Sequence, residues 1–120
     1  MLKIQSVNLS GFVIDFNLSL IDAIRLIETN NRKAVIVLRS GCFYGVLSDG
    51  DVRKSLLHGI STNVSVSQFT NRNPICLRNI DSINDLNTQL VHNLFSDNPW
   101  ITLLPIINSC NQLIAVSYLA

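Results

Sequence analysis

The chain reads as a mixed α/β (α+β) fold in which one small unit, of strand–helix–strand–strand–helix order, is used twice. Three observations predict it. A continuous β-branched run, Ala34-Val-Ile-Val-Leu38, follows an amphipathic helical stretch. A turn and a second strand-like run return from it. The same order of segments then recurs in the second half of the chain.

Taken in order, Asn8-Leu-Ser-Gly11 reads as loop and Phe12-Val-Ile-Asp-Phe16 as a short extended segment. Ser19 to Glu28 predicts a helix: Ser19 is an N-cap with Asp22 three residues on, and Leu20, Ala23, Ile24 and Ile27 fall on one face. Asn30-Asn31 ends it. Ala34–Leu38 is unbroken by polar residues, as a strand covered on both faces should be. Arg39-Ser-Gly-Cys42 is a hairpin turn and Phe43–Leu47 the returning strand. A polar loop leads into a helix from Asp51 to Leu57, closed by His58-Gly59.

The second half repeats this order. Asn73-Pro-Ile-Cys-Leu77 is a short extended segment, Asp81–Leu86 opens a helix with Ser82 in the place of Ser19, and Leu103–Ile107 and Gln112–Val116 are strands around the turn Asn108–Asn111. Ser19 to Ser82 is a step of 63 residues, whereas Ala34–Leu38 to Leu104–Asn108 and Gly45 to Ala115 are steps of 70. About seven extra residues are therefore expected near Asn93 to Trp100. The repeats are placed at residues 1–70 and 71–120. A unit this small cannot bury a sheet face alone; two packed face to face can, and a cleft would lie between them.

Composition narrows the function. Hydrophobic residues make up 48% of the 120 and the formal net charge is +1. With no basic run there is no electrostatic footprint for nucleic acid. No stretch has the length of a membrane span, and the first residues, MLKIQSVNLSG, lack a signal-peptide apolar core. A cytoplasmic protein is expected. Cys42, Cys76 and Cys110 are too scattered for a disulfide framework or a zinc site, and His58 and His92 have no companion ligands. No Gly-rich phosphate loop and no nucleophile–base pair is visible, and Asp81 and Asp85 read as a solvated helix start, so no catalytic residue and no metal ligand is assigned.

The chemically loaded stretch is Gly45-Val-Leu-Ser-Asp-Gly-Asp51. A loop that leaves a strand and enters a helix presents unpaired N–H groups at the positive end of the helix dipole. Ser48 can donate to a phosphate oxygen, Asp51 can accept from the two vicinal hydroxyls of a ribose, and Arg53 can add a charged contact. Asp49 sits between them, and Gly45 and Gly50 permit close approach. Equally, Ser and Asp ahead of a helix are ordinary caps with no ligand. A calcium loop fails because Arg53 falls where an oxygen ligand is needed and no Glu stands at the twelfth position. A sugar-transferase metal pair would need a much longer nucleotide-binding domain.

The run VIVLRSGCFYGVLSDGDVRKSLLHGI followed by FTNRNPI (Phe69–Ile75) resembles a tandem cystathionine-β-synthase (CBS) domain pair, the Bateman module. Gly45, Val46, Ser48 and Asp51 match the family pattern Gly-apolar-x-Ser/Thr-x-x-Asp, and the wording SDGD-x-R with NRNP is similar to pairs fused ahead of sugar-phosphate nucleotidyltransferases. The resemblance implies a regulatory, non-catalytic module that binds AMP, ADP, ATP or S-adenosylmethionine in the inter-repeat cleft and controls an attached C-terminal catalytic domain. By position, Asp51 would hold the ribose hydroxyls and Ser48 the ribose or a phosphate, while backbone and side chains around Ile14, Lys33, Ala34 and Val35 would flank the base. The alternative is a ligand-free structural or dimerisation module.

The second copy departs from the pattern. Ala115 and Tyr118 stand where Gly45 and Ser48 stood, and the counterpart of Asp51 would be position 121. Its cleft is expected to be weak or empty. The last helix of this copy is missing, which leads us to expect an excised N-terminal portion of a longer protein and, through uncovered apolar surface, a homodimer.

Overall fold

The computed structural model describes residues 1–120. Strands β1 (Leu2–Gln5) and β2 (Val13–Asp15) precede helix α1 (Leu20–Asn30), strands β3 (Ala34–Arg39) and β4 (Cys42–Ser48), and helix α2 (Asp49–Leu57). After a long connection come α3 (Thr88–Asp97), β5 (Leu104–Ile107) and β6 (Leu113–Leu119). No helix is long and apolar enough to cross a membrane. Contacts divide the chain into two units: Ser10–Pro74, and Met1–Leu9 together with Ile75–Ala120. Residues 71 and 72 bond to β4, so the connection up to Pro74 goes with the first unit. The N-terminus goes with the second unit, because β1 pairs with β6.

In the Ser10–Pro74 unit the sheet order is β2-β3-β4, with β2 parallel and β4 antiparallel to the central β3. A parallel neighbour needs a crossover, and α1 supplies it. Its Leu20, Ala23 and Ile27 are buried against Val35 and Val37, together with Ile14, Leu47, Val52 and Val66. Ala34 and Ile36, on the other face of β3, are buried as well, so the strand is covered on both sides as its composition predicts. Asp22 accepts from the Ser19 N–H at 3.1 Å and from its hydroxyl at 2.9 Å. At the other end Asn31 takes a left-handed conformation (φ 57°) and returns its N–H to Ile27. The β3–β4 turn is two residues long, Ser40 and Gly41, both at positive φ, the geometry that suits the natural twist of a hairpin. Three residues past the turn, Tyr44 is left unpaired in a bulge between the pairs Val37–Gly45 and Leu38–Phe43.

The second unit has strand order β1-β6-β5. Val91 and Phe95 of α3 pack on Leu104, with Leu2, Ile75, Leu77, Leu86, Leu94 and Ile101 around them. Leu77 bridges in parallel to Ile106, donating to Pro105 O at 3.0 Å and accepting from Ile107 at 2.8 Å. It is the reduced counterpart of β2.

The repeat is real in its order, and its register needs correction. Both hairpins carry a bulge at the same place, after Val37 and after Ile106, which sets the step there at 69 (37 to 106) and on the returning strands at 70 (45 to 115). Ile14 corresponds to Leu77, a step of 63. The N-caps are Ser19 and Asn87, a step of 68. Most of the insertion thus lies between Leu77 and Asn87, not near Asn93–Trp100, which is α3 and its exit. Nor does Asp81–Leu86 open the helix. The Ser82 hydroxyl accepts from the N–H of Asn84, two residues on, and caps only a 3-10 turn (Ile83–Asp85). The Asn87 side chain accepts from Leu90 N–H, three on, as a helix cap does.

Two carboxylates, Asp81 and Asp22, each accept from the N–H and hydroxyl of one serine. Asp81 accepts from the Ser109 N–H at 2.9 Å and its hydroxyl at 2.7 Å, joining the segment before α3 to the β5–β6 turn. The backbone N–H bond first, and the hydroxyl second, holds the Asp81 carboxyl below the ordinary value of 3.8; Ser19 does the same to Asp22. A carboxyl lowered on folding stabilises the fold above its unfolded value, and that contribution disappears as the pH falls through its folded value. We expect the urea midpoint of Asp22→Asn/Asp81→Asn to fall less steeply than wild type on acidification below about pH 4. Parallel curves for the two proteins would contradict this.

Candidate functional site

The register of the β3–β4 hairpin places Ala34 opposite Ser48, and thereby brings the start of α2 beside the residue that precedes β3. Lys33 enters β3 with positive φ (58°), and its carbonyl accepts the Asp49 N–H at 2.8 Å. Ser48 is the N-cap. Its hydroxyl accepts the Asp51 N–H at 3.1 Å, while Asp51 Oδ2 accepts the Ser48 N–H at 3.3 Å. This reciprocal box is the capping reading realised. It starts the helix at Asp49, two residues earlier than expected.

Capping does not exhaust these side chains. Of Ser48 it uses an acceptor lone pair and leaves the hydroxyl hydrogen; of Asp51 it uses Oδ2 and leaves Oδ1 without a partner in the chain. Asp49 is bound to Arg53 at 2.7 Å, but with side chains 41% and 70% exposed that pair holds neither strongly. Two of the first N–H groups of α2, those of Asp49 and Asp51, are already bonded, so the bare anion seat expected there is largely filled by the protein's own groups.

Seven of the eight candidate residues, Lys33, Ala34, Val35, Ser48, Asp49, Asp51 and Arg53, thus come from one end of the hairpin and the first turns of α2. The side chains of Ile14 and Val35 lie in the core under α1. Ala34 is buried on the opposite face, in register with Ser48.

The edge of β4 is closed by the connection that follows. Val46 and Asn71 exchange backbone hydrogen bonds at 3.0 and 2.9 Å. A Cβ on Gly45 would run into the Asn71 carbonyl and the Thr70 methyl. Glycine at this position serves the chain's own backbone, a reason sequence alone did not disclose, because the partner lies 26 residues away (45 to 71).

No family model matches the chain. Two proteins of Helicobacter pylori, from strains ATCC 700392 / 26695 and J99 / ATCC 700824, each named only as an uncharacterized protein, are 33% identical over 98 residues. The match covers 78% of this chain and 28% of theirs, so the chain spans under a third of the curated relatives it matches. Among solved structures, the CBS domains of a transcriptional regulator from Streptococcus pneumoniae superpose with a TM-score of 0.68 at 15% identity, over 88% of this chain and 79% of that one. The CBS domain pair of protein MJ0100, in complex with 5′-methylthioadenosine and S-adenosyl-L-methionine, gives 0.68 at 16% over 88% and 78%. The cytosolic domain of the Mg2+ channel MgtE in complex with ATP gives 0.67 at 17% over 89% and 41%. The chain has the fold of a CBS domain pair.

Within that fold the second CBS repeat lacks the motif for visible structural reasons. Ala115, the counterpart of Gly45, is fully buried. The Tyr118 hydroxyl, near the place of Ser48, bonds to Gln5 Oε1 at 3.0 Å, and buried Ser117 donates to Lys3 O at 2.8 Å. These polar groups fasten β1 to β6. In the first repeat, Gly45→Ala should destabilise the unit by about 1–3 kcal/mol through the forced clash with the 70–71 backbone. A lowered urea midpoint checks it; an unchanged one would mean that the connection can leave the edge of β4 freely.

Proposed function

We propose that the chain is a regulatory CBS module whose first repeat binds an adenosine-type ligand at the β4–α2 junction. The observation that carries this reading is that Ser48 and Asp51, while capping α2, still offer a hydroxyl donor and a free carboxylate oxygen side by side. A half-occupied carboxylate fixed by its own cap is pre-set to accept from a ribose diol, with little side-chain freedom left to lose. The ATP, S-adenosylmethionine and methylthioadenosine complexes of structural neighbours support the ligand class. AMP, ADP, ATP and S-adenosylmethionine are therefore the ligands to test. Ser48, Asp51 and the Lys33–Ala34 backbone are the proposed contacts, with Arg53 released from Asp49 toward any phosphate.

On this reading the module acts in the cytoplasm and is one part of a longer protein. The attached domain proposed from the SDGD-x-R and NRNP wording is a sugar-phosphate nucleotidyltransferase. Ligand could control it only through unequal affinity for its two states. A homodimer is proposed from exposed Leu57 and Leu56 on α2. The competing reading, a ligand-free structural or dimerisation module, draws on the fact that both motif residues already serve the cap and that Ala115 and Tyr118 stand at the places of Gly45 and Ser48 in the second copy.

Calorimetric titration with AMP, ADP, ATP and S-adenosylmethionine separates the two. Asp51→Asn keeps an acceptor for the Ser48 N–H and removes the charge. It should weaken binding about ten- to a hundredfold, from the 1.5–3 kcal/mol carried by a hydrogen bond to a charged group, with little change in urea midpoint. Absence of binding by every ligand, or equal affinity in the variant, would favour the structural reading.

A further inference from the structure

At the opposite end of the β3–β4 hairpin from Ser48, four side chains of the first unit stack in a row. The Arg39 guanidinium carbon lies 5.0 Å from the centre of the Phe16 ring. The Phe16 and Tyr44 rings are 5.6 Å apart, tilted by 42°. The Arg72 guanidinium carbon lies 3.6 Å from the centre of the Tyr44 ring, and its Nε donates to the Tyr44 carbonyl at 2.7 Å. Each residue comes from a different segment: Phe16 follows β2, Arg39 ends β3, Tyr44 is the bulge of β4, and Arg72 is in the connection docked on the β4 edge. The bulge sets Tyr44 out of the ladder.

Neither arginine has a carboxylate partner; the ion pairs of the chain are Asp22–Arg25 and Asp49–Arg53. Both arginines are exposed and both rings half-buried. Asp15, the acidic residue of the adjoining strand, accepts from Asn17 N–H and forms no ion pair with Arg39. A guanidinium laid on a ring is held in one orientation with its N–H forks directed outward, so less rotamer freedom is lost when an anion arrives. The stacking gains are modest at exposed sites. Of the two arginines only Arg72, through its Nε bond, adds to the Val46–Asn71 bonds that hold the connection against β4, and Arg39 has no structural partner other than the ring.

We infer that this Arg39–Phe16–Tyr44–Arg72 row is a docking surface for an acidic protein segment whose carboxylates pair with the two guanidinium forks. Fork-to-carboxylate geometry suits arginine. Nucleic acid fits less well. Each ring has a guanidinium over it instead of an open face for a base, and the net charge of +1 offers no basic track along which phosphates could run. The row is separate from the Ser48–Asp51 junction and does not depend on a ligand there.

The test is fluorescence anisotropy with a labelled peptide of alternating Glu and Gly, against a Lys–Gly peptide and a single-stranded oligonucleotide of equal charge. The Glu peptide should bind best and weaken with added salt. Arg39→Gln should reduce its affinity about three- to fivefold, as expected for one exposed charge contact. Arg39→Gln/Arg72→Gln should reduce it further, and Arg39→Lys should restore only part of it. Arg25→Gln, which removes an equal charge elsewhere, should have little effect. Since Arg72→Gln can loosen the connection, the single Arg39 variants decide. Failure of the Glu peptide to bind, equal losses for Arg25→Gln and Arg39→Gln, or tighter binding of the oligonucleotide would each overturn the proposal.

Discussion

The placement of Ser48 opposite Ala34 is the constraint on which the β4–α2 end of the first unit depends. β3 is the central strand of its sheet, and Ala34 to Val37 are buried on both faces, so a one-residue slip would exchange its two sets of side chains between different packing environments. With β3 fixed, the two-residue turn and the bulge at Tyr44 fix where each residue of β4 falls. Ser48 then ends the strand beside Lys33, whose carbonyl receives the first N–H of α2. The site is therefore set by hydrophobic burial several residues away. The same bulge sets Tyr44 out of the ladder at the other end of the hairpin, where Phe16 and Arg72 meet it.

Much of this was legible in the sequence because it is local. The apolar face of α1, the doubly covered β3, the Ser-Gly turn and the Ser48–Asp51 box each rest on contacts between residues a few places apart or on strict periodicity. The misses share one physical origin, which is contact over long sequence distance. β1, to which the sequence assigned no element, becomes a strand only by pairing with β6, more than a hundred residues on (2 to 119). Gly45 looks like a glycine for ligand approach until Asn71 is seen against it. In the second repeat, Ser82 and Asn87 are both acceptable caps, and nothing local decides between them. Leu86, in the short piece between, packs into the core with Val91 and Phe95, and that burial is met by starting the helix after it.

The site residues were legible as a motif but not as an arrangement. Sequence posed capping and ligand binding as rivals for Ser48 and Asp51. The hydrogen bonds make them compatible, since a carboxylate has two oxygens and a hydroxyl both donates and accepts. Compatibility has a chemical consequence. A helix start that already carries Asp49 and Asp51, with two of its N–H groups bonded internally, offers a phosphate little beyond Gly50 N–H and a borrowed Arg53. The same start offers a diol a fixed acceptor. The atoms left free at this junction therefore suit a sugar diol better than a phosphate.

That asymmetry also explains why the loss of the motif in the second repeat leaves its unit intact. In the first repeat the Ser–Asp box closes a helix that the fold needs, and a hydroxyl hydrogen and one carboxylate oxygen are what remains. In the second, β6 runs on through Ser117 and Tyr118, whose hydroxyls are bonded to Lys3 and Gln5 of β1. The polar groups there are consumed by strand pairing, which leaves no free hydroxyl donor at the place of Ser48. A change that restored Gly and Ser at 115 and 118 would have to give up the Tyr118–Gln5 bond that fastens β1, so the two repeats are held to different tasks by the strand that only one of them acquired.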